Sequence, residues 1–106
     1  RLQALAQLAA AGIRTWVFIA PVVPGLADTR ENLSSILKKA AAAGVREIDY
    51  DPLNFYPAAV SNMREVFKKH WPRQRPIFEA ACREPYYYKQ HLRSLAEELL
   101  AQYGYE

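Results

Sequence analysis

A six-residue pattern occurs twice in this chain and restricts its architecture more than any other feature of the sequence. The run AAAGIR at residues 9–14 returns as AAAGVR at residues 41–46, a shift of 32 positions. Each copy ends an apolar helical stripe and precedes an apolar, β-branched run, so each glycine is predicted to end a helix and lead directly into a strand. Two such joints favour stacked βα units with parallel strands.

The runs after the two glycines are the predicted strands, at residues 13–20 and 45–51. The first is almost continuously apolar, which is typical of a parallel strand covered on both faces. In the second, Ile48 and Tyr50 alternate with acidic residues, so we expect a less buried strand at a sheet edge. Because a parallel pair needs neighbours, we expect the N-terminal half of the same polypeptide, or a second copy at the open sheet edge, to cover it.

Apolar stripes and capping signals predict four helices. Asp28, with Glu31 three residues later, is predicted to be the N-cap of the second helix. Pro57 is predicted to open the third. The predicted helices cover residues 1–11, 28–43, 57–70 and 86–103, and residues 72–85 are predicted to be an irregular connection with at most one helical turn at 77–82.

Length and composition limit the number of domains and the cellular compartment that we expect for the protein. The chain has 106 residues, of which 51% are hydrophobic, so it is one globular domain or a piece of one. It begins at Arg1 inside a helical pattern, which predicts a fragment. The single cysteine, Cys82, cannot form an internal disulfide, which favours the cytoplasm. No apolar run approaches the roughly 20 residues of a membrane span, so no membrane partner is expected.

Residues 1–71 of the chain resemble a known enzyme family. The pattern R-L-x-A-L-x-x-L-x-x-A-G-I, then a strand, then A-P-V-V-P-G-L-x-D, is similar to the C-terminal half of radical S-adenosylmethionine (radical SAM) enzymes. The nearest branch is the one of spore photoproduct lyase and the DNA repair photolyase-like proteins. A-G-V-R-E-I-D-Y-D-P-L-N fits the following strand. The resemblance, over residues 1–71, implies an α/β fold made of the C-terminal βα units of a partial (β/α)6 TIM-like barrel. Residues 72–106 would be a connection and a closing C-terminal helix.

The same resemblance implies the cofactors. Such enzymes hold a [4Fe–4S] cluster on a Cys-x-x-x-Cys-x-x-Cys loop, and S-adenosylmethionine bound to the cluster is cleaved to a 5′-deoxyadenosyl radical. That cysteine motif is absent from this chain, so the chain is predicted to be inactive alone, without catalytic or metal-binding residues. It would complete the barrel and line the S-adenosylmethionine and substrate pocket. The positions that match the cofactor contacts are Ile19, Ala20, Pro21, Leu53 and Asn54.

Other residues carry weaker signals. Asp49 and Asp51 share a strand face and suggest a metal or acid–base site, although an exposed strand face explains them as well. His70 and His91 have no ligand spacing and are predicted to be surface residues. Cys82 is predicted to be a half-buried packing residue, and the tyrosines at 86–88 are predicted to pack. The loop at residues 21–25 is either a pocket wall or a rigid connection.

A basic stretch supports a different function. Residues 64–75 combine five Arg or Lys side chains with His70 and Trp71 in a pattern that suits nucleic-acid backbones and bases. The alternative to the radical SAM hypothesis is therefore a non-catalytic α/β interaction or nucleic-acid-binding module that uses this surface. A third alternative is a piece of another (β/α) barrel enzyme, such as an aldolase-like one.

Overall fold

The computed structural model describes residues 1–105, which form five α-helices and one sheet of two parallel strands. In chain order the elements are α1 (Leu2–Ala10), β1 (Trp16–Val22), α2 (Arg30–Ala42), β2 (Glu47–Pro52), α3 (Pro57–His70), α4 (Arg75–Arg83) and α5 (Pro85–Gln102). None of these helices is both long and apolar enough to cross a bilayer.

The structure contradicts the predicted partial (β/α)6 barrel. Residues 1–105 supply two strands, which is too few for an arc of a barrel, and three consecutive helices follow β2. The reason lies in α3, which packs mainly against α4. The side chains of Phe67 and Phe78 meet there with ring centroids 4.7 Å apart, and both are fully buried. The main apolar side chain of α3 is therefore buried against α4, and no further strand follows among these residues.

The two repeated helix–strand joints have the same hydrogen bonds. Gly12 and Gly44 have φ of +82° and +89°, a conformation that glycine adopts without steric cost. The next amides, those of Ile13 and Val45, each donate to the carbonyl five residues earlier at 3.0 Å. This Schellman arrangement confirms that both glycines end a helix. It also explains why the strands begin at Trp16 and Glu47, two to three residues later than predicted.

Two other sequence predictions need correction. Thr29, not Asp28, is the N-cap of α2, and its hydroxyl accepts the Asn32 backbone N–H at 3.1 Å. Residues 72–85, predicted to be irregular, contain the nine-residue helix α4. This helix forms because Phe78 and Ala81 share one buried face that packs between α3 and α5.

The buried side chains form two separate cores. The first lies between one face of the sheet and helices α2 and α5, and its fully packed members are Val22, Leu33, Leu37, Leu92, Leu99 and Tyr105. The second lies at the carboxyl ends of the strands, where the loops after β1 and β2 meet α3 and α4. It is built on Leu53, Phe67 and Phe78, with Val23, Leu26, Phe55, Val60, Met63 and Cys82 around them.

β1 is covered on one face, not on both as its continuous apolarity predicted. Ile19 faces the first core, whereas Trp16 and Phe18 on the opposite face are 50% and 48% exposed. Both helices that contact the sheet in the first core lie on the same side, so within residues 1–105 the other face has no helix over it. An apolar run cannot distinguish a strand covered on one face from a strand covered on both. In β1 both faces are apolar, because aromatic residues on one face alternate with aliphatic residues on the other.

The molecule exposes more surface than a compact domain of its size. Its accessible area is 7334 Å², whereas the usual size scaling gives about 6,000 Å². Its radius of gyration is 15.4 Å, compared with about 13 Å for a compact chain of this length. The excess area is consistent with a chain that leaves a face available for other polypeptide.

Candidate functional site

The uncovered face of the sheet is the most distinctive surface of the molecule. β1 contributes Trp16, Phe18 and Ala20, and the neighbouring β2 contributes Asp49 and Asp51. The Trp16 indole N–H donates to Asp49 Oδ2 at 2.9 Å. The rings of Trp16 and Phe18 stack with centroids 5.6 Å apart and an interplanar angle of 28°. This exposed aromatic pair, the Trp16–Phe18 platform, therefore lies beside carboxylates of the neighbouring strand.

Three of the predicted cofactor-binding residues are exposed at the carboxyl end of the sheet. They are Ala20 and Pro21 at the end of β1, and Asn54 directly after β2. The backbone brings the two strand ends together, since the Leu53 N–H donates to the Val22 carbonyl at 3.2 Å. This edge offers small apolar surface next to an amide that can donate and accept hydrogen bonds.

The other two predicted contacts, Ile19 and Leu53, are occupied by packing. Ile19 lines a small apolar cavity of about 20 Å³ in the first core. A cavity of that size has room for about one water molecule, and its lining offers no polar partner. Leu53 is 7% exposed and packs in the second core. In these positions the two side chains support the strand ends from beneath, and their role as cofactor contacts stays a prediction.

The loop at residues 21–25 is closely packed along most of its length. Val22 and Pro24 are fully buried. Gly25 has a φ of +84°, and a Cβ atom at this position would lie 3.2 Å from the Gln74 carbonyl oxygen. The turn between α3 and α4 therefore sits directly on the loop. This packing agrees with the rigid-connection interpretation: Pro21 is the one exposed residue of the loop, and Val23 is half-buried.

Asp28 holds this loop closed. One carboxylate oxygen accepts the Gly25 backbone N–H at 2.9 Å, and the other accepts the Tyr88 hydroxyl at 3.0 Å. Burial and, to a smaller extent, the negative charge of Asp28 raise the pKa of Tyr88 well above its usual value. The sequence contains no signal for this contact, because the two side chains are 60 residues apart in the chain.

The other titratable candidates do not assemble into a metal site. Within residues 1–105 no three His, Cys, Asp or Glu side chains come together as ligands, and one cysteine does not supply the thiolates of a [4Fe–4S] cluster. His91 is exposed on α5, and His70 lies against Trp71 with ring centroids 5.9 Å apart. Cys82 is half-buried, and burial together with the charge of Glu79 raises the pKa of its thiol.

The basic stretch is partly neutralised within the molecule. Arg64 Nε donates to both carboxylate oxygens of Glu79, at 2.9 and 3.1 Å. Arg75 lies 4.0 Å from the same carboxylate. Lys68, Lys69 and Arg73 remain exposed and belong to no ion pair that the described part of the chain shows. The surface that remains for an anion is smaller than the sequence suggests.

The three consecutive tyrosines divide between the surface and the interior. Tyr86 and Tyr87 are exposed, with ring centroids 6.0 Å apart. Tyr88 turns inward and meets Phe55 edge-on at the same centroid separation. The predicted packing role therefore applies to Tyr88.

No sequence prediction identifies the platform of Trp16 and Phe18. Aromatic residues at positions 16 and 18 alternate with smaller residues along the strand. Because alternate residues of a strand share a face, this alternation is the signal from which the pairing of the two rings could be predicted. No family model, curated protein or solved structure matches the chain. The assignment of the site therefore comes from the chain's own contacts.

Proposed function

We propose that this chain is part of a radical SAM enzyme and that it lines the S-adenosylmethionine and substrate pocket with the carboxyl end of its sheet. The observation that carries the proposal is the uncovered sheet face, which ends in the exposed Ala20, Pro21 and Asn54. In α/β proteins, ligands bind beyond the carboxyl ends of parallel strands. The resemblance of residues 1–71 supplies the identity of the ligand.

The chain would provide shape and hydrogen bonds, and no reacting group. Ala20 and Pro21 offer small apolar surface for a flat ring, and the Asn54 side-chain amide offers one donor group and one acceptor group. The N-terminal half of the same polypeptide would hold the iron–sulfur cluster, which supplies the electron for radical formation. The single cysteine of this chain forms no internal disulfide, and a thiolate-bound cluster needs reduced cysteines, so the protein would work in the reducing cytoplasm.

The test uses the longer polypeptide, purified without oxygen. We expect about four irons per chain after cluster reconstitution, and release of 5′-deoxyadenosine on reduction in the presence of S-adenosylmethionine. Asn54→Ala should weaken S-adenosylmethionine binding by about tenfold, the loss of one good hydrogen bond. Asn62 is exposed on α3, so Asn62→Ala is the matched control and should leave binding unchanged. An iron-free protein that releases no deoxyadenosine after reconstitution would contradict the proposal.

A second candidate function is nucleic-acid binding at the basic stretch. Lys68, Lys69 and Arg73 are exposed beside Trp71, which is 42% exposed and could stack on a base. Three phosphate contacts to a single strand predict a slope of about −2 for log K against log salt.

The chain contains its own control for this candidate. Changing Lys68 and Lys69 to Gln should reduce oligonucleotide affinity and flatten the salt slope. The same change at Lys38 and Lys39, an exposed pair on α2, should have little effect. Equal losses in the two double variants would show non-specific attraction by the net charge of +3.

A further inference from the structure

We infer that the Trp16–Phe18 platform, with Asp49 beside it, is the docking site for an arginine-bearing segment of polypeptide. The platform lies toward the start of β1, away from the exposed strand end that the proposed pocket uses. The inference therefore goes beyond the proposed function and does not depend on the cofactor.

The first argument is the preorganised geometry. The hydrogen bond from Trp16 to Asp49 Oδ2 fixes the indole of β1 to a side chain of β2, and the Phe18 ring stacks against the indole at 28°. About half of each side chain is exposed. A guanidinium group is planar, stacks on aromatic faces and at the same time donates hydrogen bonds in its own plane. Asp49 Oδ1 has no partner among the described hydrogen bonds, so this carboxylate can accept a further hydrogen bond beside the indole.

The second argument is charge. At the start of the sheet, Glu47 forms an ion pair with Arg14. Asp49 and Asp51 belong to no ion pair within the described residues, so this face is negative on a chain whose net charge is +3. The local negative charge and the hydrogen-bonding groups of this face therefore both favour a cation here.

The same charges argue against a second copy as the occupant. If two copies met face to face, both would contribute Asp49 and Asp51 carboxylates to the interface, and the described part of this face has no unpaired cation to offer them. Burying carboxylates without partners is destabilising. An uncharged apolar segment would cover the rings but leave the carboxylates desolvated without partners.

The test uses Trp16 as its reporter. The chain has two tryptophans, so Trp71→Phe leaves Trp16 as the only one. The probe is a short capped peptide of alternating glycine and arginine, titrated while Trp16 fluorescence is measured. We expect a saturable change, weaker binding of the matching glycine–lysine peptide, and little binding of the glycine–glutamine peptide.

A matched pair of variants locates the binding. Asp49→Asn keeps an oxygen acceptor for Trp16 but removes the charge, and we expect about a tenfold loss of affinity. Glu31→Gln removes one negative charge from the solvent-exposed side of α2 and should leave affinity unchanged. If Asp49→Asn loses its far-UV circular dichroism signal, Phe18→Leu, which keeps the apolar bulk but removes the ring, should show the loss of affinity instead.

Several outcomes would overturn the inference. Equal affinities of the Asp49→Asn and Glu31→Gln variants for the arginine peptide would show that this face does not bind it. Equal binding of the three peptides would show that the guanidinium group is not recognised. A change in Trp16 fluorescence with protein concentration alone, together with a doubled mass in light scattering, would show that a second copy occupies the platform.

Discussion

The Tyr88 hydroxyl donates a hydrogen bond of 3.0 Å to Asp28 Oδ2 and ties the first turn of α5 to the loop that follows β1. Through its other oxygen Asp28 also accepts the Gly25 amide. One carboxylate thus joins the loop at the strand end to a helix 60 residues later in the chain. The shape of the loop depends on tertiary structure as much as on its prolines.

Replacing Tyr88 with Phe should destabilise the protein by about 1–2 kcal/mol, because the change leaves a half-buried carboxylate oxygen without its hydrogen bond. Urea denaturation would measure the difference in the free energy of unfolding. Tyr86→Phe is the control, since that hydroxyl is exposed and accepts only the Gln90 side-chain amide. Equal effects of the two changes would mean that the contact with Asp28 contributes nothing.

The same tyrosine should make the protein sensitive to alkali. Its pKa is raised in the folded state, mainly by burial, from an ordinary value of 10.0. The stabilisation is therefore complete below pH 10 and is lost as the pH rises above 10 toward the folded-state pKa. Burial also raises the pKa of Tyr50 and Tyr105, which contribute with the same sign.

The urea midpoint, measured on both sides of pH 10, tests this dependence. We expect the midpoint of the unaltered protein to fall above pH 10, and that of Tyr88→Phe to fall less steeply. Parallel curves for the two proteins would show that Tyr88 does not titrate differently in the folded and unfolded states.

Gly25→Ala should destabilise the protein more than Gly104→Ala. Both glycines have a positive φ, of +84° and +81°, so each substitution costs about 1 kcal/mol in backbone energy. A Cβ at Gly25 would additionally press on the Gln74 carbonyl at 3.2 Å, whereas nothing lies within 4 Å at Gly104. Thermal unfolding of both variants measures the difference. Equal melting temperatures would mean that the turn between α3 and α4 does not rest on this loop.

Glu79→Gln should lower stability by up to about 1 kcal/mol, since the Arg64–Glu79 pair is only partly buried. It should also free Arg64 and Arg75 for anions and so raise single-stranded oligonucleotide affinity. Glu65 is exposed on α3, and Glu65→Gln, which makes the same change in net charge, is the control. Fluorescence anisotropy with a labelled oligonucleotide would compare them. Identical affinities would argue against a nucleic-acid site at residues 64–75.

Local chemistry in the sequence determined most of the helices. Glycines placed after apolar stripes end α1 and α2, as Gly12 and Gly44 show. Pro57 begins α3, which runs to His70 as predicted. These signals act through a residue's own backbone or its neighbours within one turn, so they can be recognised without knowing the rest of the fold.

Only the tertiary structure decided which surfaces are covered. Asp28 is drawn away from the helix cap by Gly25 and Tyr88, so Thr29 caps α2 instead. The resemblance that implied a barrel could not show that α3 would pack against α4 and leave the sheet with two strands. Trp16 is apolar and lies in a strand in either architecture, yet it is exposed because both covering helices lie on the opposite face. Backbone conformation follows from neighbouring residues, whereas burial depends on where distant helices come to rest.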